Sequence, residues 1–164
     1  MAAMNFEAKV MSLPQLLAWR DGLREAGRKL VATNGCFDIL HTGHVTYLQA
    51  ARQQGDALVV GVTSDQNVKA LKGADRPVNN EKDRADVLAA LESVDAVHIF
   101  PERDARAFLL ALKPDLYAKG GDYTLETINQ DERRMLEAEG CKIVILPGVP
   151  GKSTSATLRK IATL

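Results

Sequence analysis

The run ALVVGVT, residues 57–63, is apolar at almost every position and lacks the polar alternation of a strand with one face in water. Bounded by Gly55 and Ser64, it reads as a strand covered on both faces, and such strands belong to parallel sheets. Four more short runs share the pattern: 29–33 (KLVAT), 96–100 (AVHIF), 115–119 (DLYAK) and 142–146 (KIVIL). Amphipathic segments separate them. Ser12 as N-cap and Pro14 in the first turn open a helix with an apolar stripe of Leu16, Leu17, Trp19, Leu23 and Ala26, ended by Gly27. Further helices are expected over 45–54, 64–71, 81–93, 105–112, 129–139 and 155–161. Strands alternating with helices require right-handed crossovers. The expected class is therefore α/β, a Rossmann-like doubly wound parallel five-stranded sheet of order 3-2-1-4-5.

A length of 164 residues fits one domain, with 1–28 as an N-terminal extension and helix and 29–164 as the core. Lys plus Arg is 21 and Asp plus Glu is 21, so the formal net charge is zero. A nucleic-acid binder ordinarily shows a basic excess or stripe, so small-molecule partners are expected and nucleic acid is not. The two cysteines, Cys36 and Cys141, form no CxxC pair and read as reduced thiols. The first ten residues lack the basic start and apolar run of a signal peptide, and no stretch has the apolar length of a membrane span. The expectation is a cytoplasmic protein with no membrane partner.

The unusual residues fall after three strands. Residues 34–44 (NGCFDILHTGH) follow the first, Lys119-Gly120-Gly121-Asp122-Tyr123 the fourth, and 147–155 (PGVPGKSTS) the fifth. In the order 3-2-1-4-5 those strands are neighbours, and the carboxyl ends on either side of the reversal between strands one and four form the ligand crevice. His41-Thr42-Gly43-His44 stands at a helix start, where free N–H groups and the dipole favour anions. Two structural histidines or a metal pair would also fit the spacing. With Asp38 as the one nearby acid, a zinc site is thin, and a phosphate site fits the position best. Gly43 would let a phosphate approach the backbone. Gly151-Lys152-Ser153-Thr154 invites comparison with a Walker A loop, but Leu146 stands where that motif needs its first glycine.

GCFDILHTGH resembles the signature of the cytidylyltransferase-like superfamily, which carries HxGH after its first strand. The likeness spans about Leu13 to Ile161. TNGCFDILHTGHVTYL, VTSDQNVKALKG, RPVN, KGGDY and the closing GKSTS resemble one branch, the bacterial D-glycero-beta-D-manno-heptose 1-phosphate adenylyltransferases. These occur alone or fused to a heptose kinase, and a chain of this length resembles the stand-alone form. The resemblance implies transfer of AMP from ATP to heptose 1-phosphate, giving ADP-heptose and pyrophosphate for lipopolysaccharide cores. It implies His41, His44 and Lys72 as catalytic residues. A nucleotide site follows from Gly35, Cys36, Phe37, Gly43, His44, Arg84, Gly120, Ser153, Thr154 and Ser155. Asp38, Asp122 and Lys72 are left for the acceptor.

Plainer readings stand beside these: Lys72 as a solvated surface lysine, Arg84 as a surface arginine, Gly120-Gly121 as a tight turn, Ser153 as a helix cap. Asp38 could cap the histidine loop or hold a substrate hydroxyl. Lys152 could supply charge where some superfamily members carry an arginine. Mg²⁺ is expected on phosphate oxygens and water, because no carboxylate cage and no protein metal site is visible. Homodimers are common among such relatives. The alternatives are a CTP-dependent enzyme acting on glycerol 3-phosphate or a similar alcohol phosphate, and a non-catalytic nucleotide-binding module. An NAD dehydrogenase is disfavoured, because no GxGxxG follows the first strand.

Overall fold

The computed structural model describes residues 5–164; the first four positions of the expected N-terminal extension lie outside the described residues. Five strands, β1 (Leu30–Gly35), β2 (Ala57–Thr63), β3 (Ala96–Phe100), β4 (Leu116–Gly121) and β5 (Lys142–Pro147), pair in the order β3-β2-β1-β4-β5. Every pairing is parallel, with Leu30 opposite Ala57, Val59 opposite Ala96, Val31 opposite Leu116 and Leu116 opposite Lys142. The expected class and strand order are those observed.

Among the described residues seven α-helices connect and cover the sheet: α1 (Leu13–Glu25), α2 (Thr42–Arg52), α3 (Asp65–Lys72), α4 (Glu81–Ala89), α5 (Arg106–Leu112), α6 (Gln130–Ala138) and α7 (Thr154–Ala162). All seven residues of β2 are buried, as its unbroken apolarity requires. Alternate positions feed two cores. Leu30, Ala32, Val59 and Tyr117 face Leu16 and Leu23 of α1, Phe108 and Leu112 of α5, and Leu136 of α6. Val31, Leu58, Val60 and Ala118 face Leu48 of α2 and Leu88 of α4.

Several boundaries shift by a residue or two from the sequence reading, with β1 and β4 running on into Gly35 and Gly121, and three differences have a local reason. Helix α2 begins at Thr42 rather than Val45, because His41 serves as its cap. Helix α4 stops at Ala89, short of Ser93; the carbonyls of Leu91 and Val94 beyond it accept from the Lys9 ammonium at 3.3 and 2.7 Å. Lys72 is the last residue of α3, so the irregular stretch is 73–80. Its far end is pinned to the body by Asp38.

Candidate active site

The carboxyl ends of β1, β4 and β5 open into a crevice of about 1000 Å³. It gathers the three unusual segments of the sequence, together with Lys72 and Arg76 from the region after β2.

The histidine turn is built by helix capping. His41 has extended backbone and its Nδ1 accepts from Gly43 N–H at 3.1 Å. His44, one turn on, accepts at its own Nδ1 from the His41 N–H at 3.3 Å. The rings stack with centroids 3.9 Å apart, and the Phe37 ring meets His44 edge-on at 5.5 Å. A ring nitrogen that accepts from a backbone N–H carries no proton, so the neutral form of each histidine bears its proton on Nε2. Burial and the neighbouring His41 push His44 down to about 4; burial and Lys152 lower His41. Near neutral pH the turn therefore presents two uncharged Nε2–H donors.

Glycine at 43 makes room for this pair. A Cβ there would stand 2.8 Å from the His41 ring and 3.2 Å from Lys152 Cβ. A Cβ at Gly35 would stand 2.9 Å from the Phe37 ring, and Phe37 itself occupies the left-handed region at φ 49°. A Cβ at Gly120 would fall 2.5 Å from the Tyr47 ring, whose hydroxyl donates to the Ala118 carbonyl at 2.8 Å. These glycines seat aromatic rings beneath the crevice floor.

Ser153 caps α7, its Oγ accepting from Ala156 N–H at 3.0 Å. The Thr154 hydroxyl donates to the Ile39 carbonyl at 2.9 Å and ties α7 to the histidine loop. The Ser155 hydroxyl and the open N–H groups of the first turn are left for an anion. Lys72 and Lys152, both exposed, stand on the crevice lining.

Two sequence expectations change. Arg84 does not line the crevice. Its guanidinium is buried beneath the loops, donating to the Cys36 carbonyl at 2.6 Å, the Asn79 carbonyl at 3.0 Å and the Asp65 carboxylate at 2.8 Å. A buried cation needs such partners, and these are internal. Asp38 lines the crevice, but its carboxylate accepts from Arg76 Nε at 2.7 Å and from the backbone N–H groups of Val78 and Asn79 at 2.9 Å. Burial alone would raise its pKa; those two N–H groups and Arg76 outweigh it and hold the carboxyl low. These bonds tie it to the 76–79 loop. The other expected residues, Gly35, Cys36, Phe37, His41, Gly43, His44, Lys72, Gly120, Asp122, Ser153, Thr154 and Ser155, all line the crevice.

Asn34, Tyr47, Arg76 and Lys119 also line it; the sequence reading had all four within its motifs but gave them no role. For Lys119 a signal existed: a lysine within a buried strand needs a reason. Among the described residues no cluster of three or more His, Cys, Asp or Glu side chains could hold a metal, and no helix is long and apolar enough to cross a membrane.

A doubly wound sheet whose switch-point crevice combines a histidine turn with a second anion-ready helix start is built to receive a nucleotide's phosphates. The chain belongs to the cytidylyltransferase-like family, whose model matches residues 32–160. It is 50% identical over 155 residues to the bifunctional protein HldE of Methylobacillus flagellatus, a match covering 94% of this chain and 31% of that one. The chain thus spans about a third of the length of the curated relatives it matches. The crystal structure of a lipopolysaccharide core biosynthesis protein from Thermoplasma volcanium superposes with a TM-score of 0.63 at 28% identity, covering 75% of this chain and 98% of that one. Pantoate-beta-alanine ligase from Francisella tularensis shares the fold at 13% identity, with a TM-score of 0.55 over 94% of this chain and 79% of that one.

Proposed function

We propose that the protein transfers AMP from ATP to D-glycero-beta-D-manno-heptose 1-phosphate, releasing pyrophosphate. The observation that carries the chemistry is the capped histidine pair facing one crevice with the start of α7. The choice of acceptor is supported by the motif resemblance and by the likeness to a protein of lipopolysaccharide core biosynthesis.

The reaction is in-line attack of a sugar phosphate oxygen on the α-phosphorus. A new P–O bond forms, the bond to the β-phosphate oxygen breaks, and pyrophosphate leaves with the electron pair. The nucleophile is already an anion, so catalysis is positioning and charge stabilisation. The Nε2–H donors of His41 and His44 serve the α-phosphate and its bridging oxygen. Lys72, Lys152 and the first turn of α7 hold the outer phosphates. Mg²⁺ would enter with ATP, held mainly by phosphate oxygens and water, and would neutralise phosphate charge.

We also propose that these residues form one domain that works in the cytoplasm as a homodimer without a nucleic-acid partner; balanced charge supports the last point, and light scattering in solution tests the dimer. The decisive experiment is pyrophosphate release with ATP or CTP, each against heptose 1-phosphate and glycerol 3-phosphate. Release confined to ATP with heptose 1-phosphate upholds the reading. Release with CTP and glycerol 3-phosphate overturns the substrates and keeps the site, and ATP binding without release in any combination favours a nucleotide-binding module.

A further inference from the structure

Helix α6 places a carboxylate where its pattern calls for an apolar side chain. Glu132 is buried on the same face as Leu136, one turn before it. A buried carboxylate persists only with partners, and those of Glu132 lead to the crevice. Its Oε1 is 2.7 Å from the Tyr117 hydroxyl and 3.9 Å from Lys119 Nζ. The same hydroxyl is 2.5 Å from the Asn34 side chain. Asn34 and Lys119 both line the crevice, whereas Glu132 and Tyr117 do not.

The Tyr117 hydroxyl orders this network. It lies within hydrogen-bonding distance of both Glu132 Oε1 and Asn34 Oδ1, so it ties the three side chains together. With its Oδ1 turned to that hydroxyl, Asn34 has its N–H donors left for the crevice. At 3.9 Å the Lys119 ammonium is held by charge alone, with its N–H donors uncommitted. The rings of Tyr117 and Tyr123 flank it at 5.3 and 5.4 Å. A cation with uncommitted N–H donors, an amide and a half-exposed tyrosine ring are the groups that recognise a phosphorylated, polyhydroxylated ring.

We infer that Glu132 is a positioning residue for the acceptor side of the crevice, holding the Lys119 ammonium directly and the Asn34 amide through Tyr117 so that both meet the sugar phosphate. This rests on the acceptor proposed above. The titratable groups around Lys119 are Glu132 from α6 and the tyrosines 117 and 123; His44 and Tyr47 of α2 and Asp122 line the same crevice. Burial lowers the Lys119 pKa and Glu132 opposes that fall.

The test is Glu132→Gln, which keeps the shape and an oxygen for Tyr117 but removes the charge. Two readouts are taken: steady-state pyrophosphate release with heptose 1-phosphate and ATP, and NMR titration of [¹³C]methyl-labelled lysines, with Lys119 assigned by its loss in Lys119→Arg. The expected result is an acceptor KM raised about tenfold and rising further with pH, with kcat and the KM for ATP within about threefold. The Lys119 midpoint should fall by about one pH unit or more. On a Lys119→Met background, Glu132→Gln should leave the acceptor KM unchanged. An acceptor KM within twofold of the parent protein, or an unmoved Lys119 midpoint, overturns the inference. If the parent protein itself releases no pyrophosphate, the acceptor proposal falls while the lysine titration still judges Glu132. If thermal melting shows Glu132→Gln unfolded, Glu132→Asp replaces it; the shorter carboxylate should shift both readouts in the same direction by less.

Discussion

The substitution Gly43→Ala isolates the histidine turn from the stability of the fold. Gly43 has helical backbone, so alanine is conformationally acceptable there, and a glycine-to-alanine change inside a helix stabilises by roughly 0.5–1 kcal/mol. The difficulty is spatial. The new methyl would stand 2.8 Å from Cε1 and Nδ1 of His41, so the ring must retreat by about 0.6 Å to reach ordinary contact. Retreat breaks the Nδ1 bond to Gly43 N–H and disturbs the stack on His44 at 3.9 Å. The ring is only partly buried, so the overlap costs about 1 kcal/mol, the low end of overpacking. The two effects on stability nearly cancel. Their effect on rate does not, because a misplacement approaching 1 Å of a positioned donor costs on the order of 100-fold. The expected variant has a urea midpoint close to the parent's and kcat lower by about two orders of magnitude. Pyrophosphate release measured beside urea unfolding checks both. A correctly folded variant with kcat within threefold of the parent would refute the account of why glycine stands at 43.

His44→Ala removes one Nε2–H donor outright and should lower turnover by at least about 100-fold; near-normal turnover would show that the turn is structural only. Asp38→Ala strips the 76–79 loop of its anchor and leaves Arg76 unpaired, so stability should fall by about 3 kcal/mol in urea and amide exchange at Val78 and Asn79 should quicken about tenfold or more. Unchanged exchange at those amides would mean the loop is held elsewhere. The histidines predict a direction with pH. His44 lies near 4 folded against 6.5 unfolded, so between those values the unfolded chain binds more protons, and stability falls as pH drops from about 6.5 to about 4. Asp38, held low, adds to the loss at the acid end. NMR titration of the ring should put the His44 midpoint near 4, and a midpoint above 6 would contradict the buried neutral donor.

Much of the fold was legible because the central strands are buried on both faces. The bounds of β2 and β3 coincide with their apolar runs, and their two polar residues, Thr63 and His98, are buried against the carbonyls of Gly35 and Met11. The crevice was legible because glycine, histidine and hydroxyl residues cluster after the strands that flank the switch point. The start of α2 was not, because histidine is an unusual cap and its ring nitrogen does what a Ser or Asp oxygen ordinarily does. Arg84 misled for a related reason. A cation in a first turn does call for an anionic partner, but the partners are Asp65 and two backbone carbonyls rather than a nucleotide. Glu132 could not be placed from the chain alone, because its partners lie 15 positions away at Tyr117 and, through that hydroxyl, on β1.

The capping of the two imidazoles also determines what the turn refuses to do. Each Nδ1 lone pair is spent on a backbone N–H and each Nε2 already carries a proton, so no atom of the pair can relieve a nucleophile of its hydrogen. Water reaching the α-phosphorus, or a sugar hydroxyl in place of the phosphate, would have to lose its proton unaided by these rings. For the reaction proposed above, the turn would then act as a filter on the ionisation state of what attacks, favouring a nucleophile that arrives already charged.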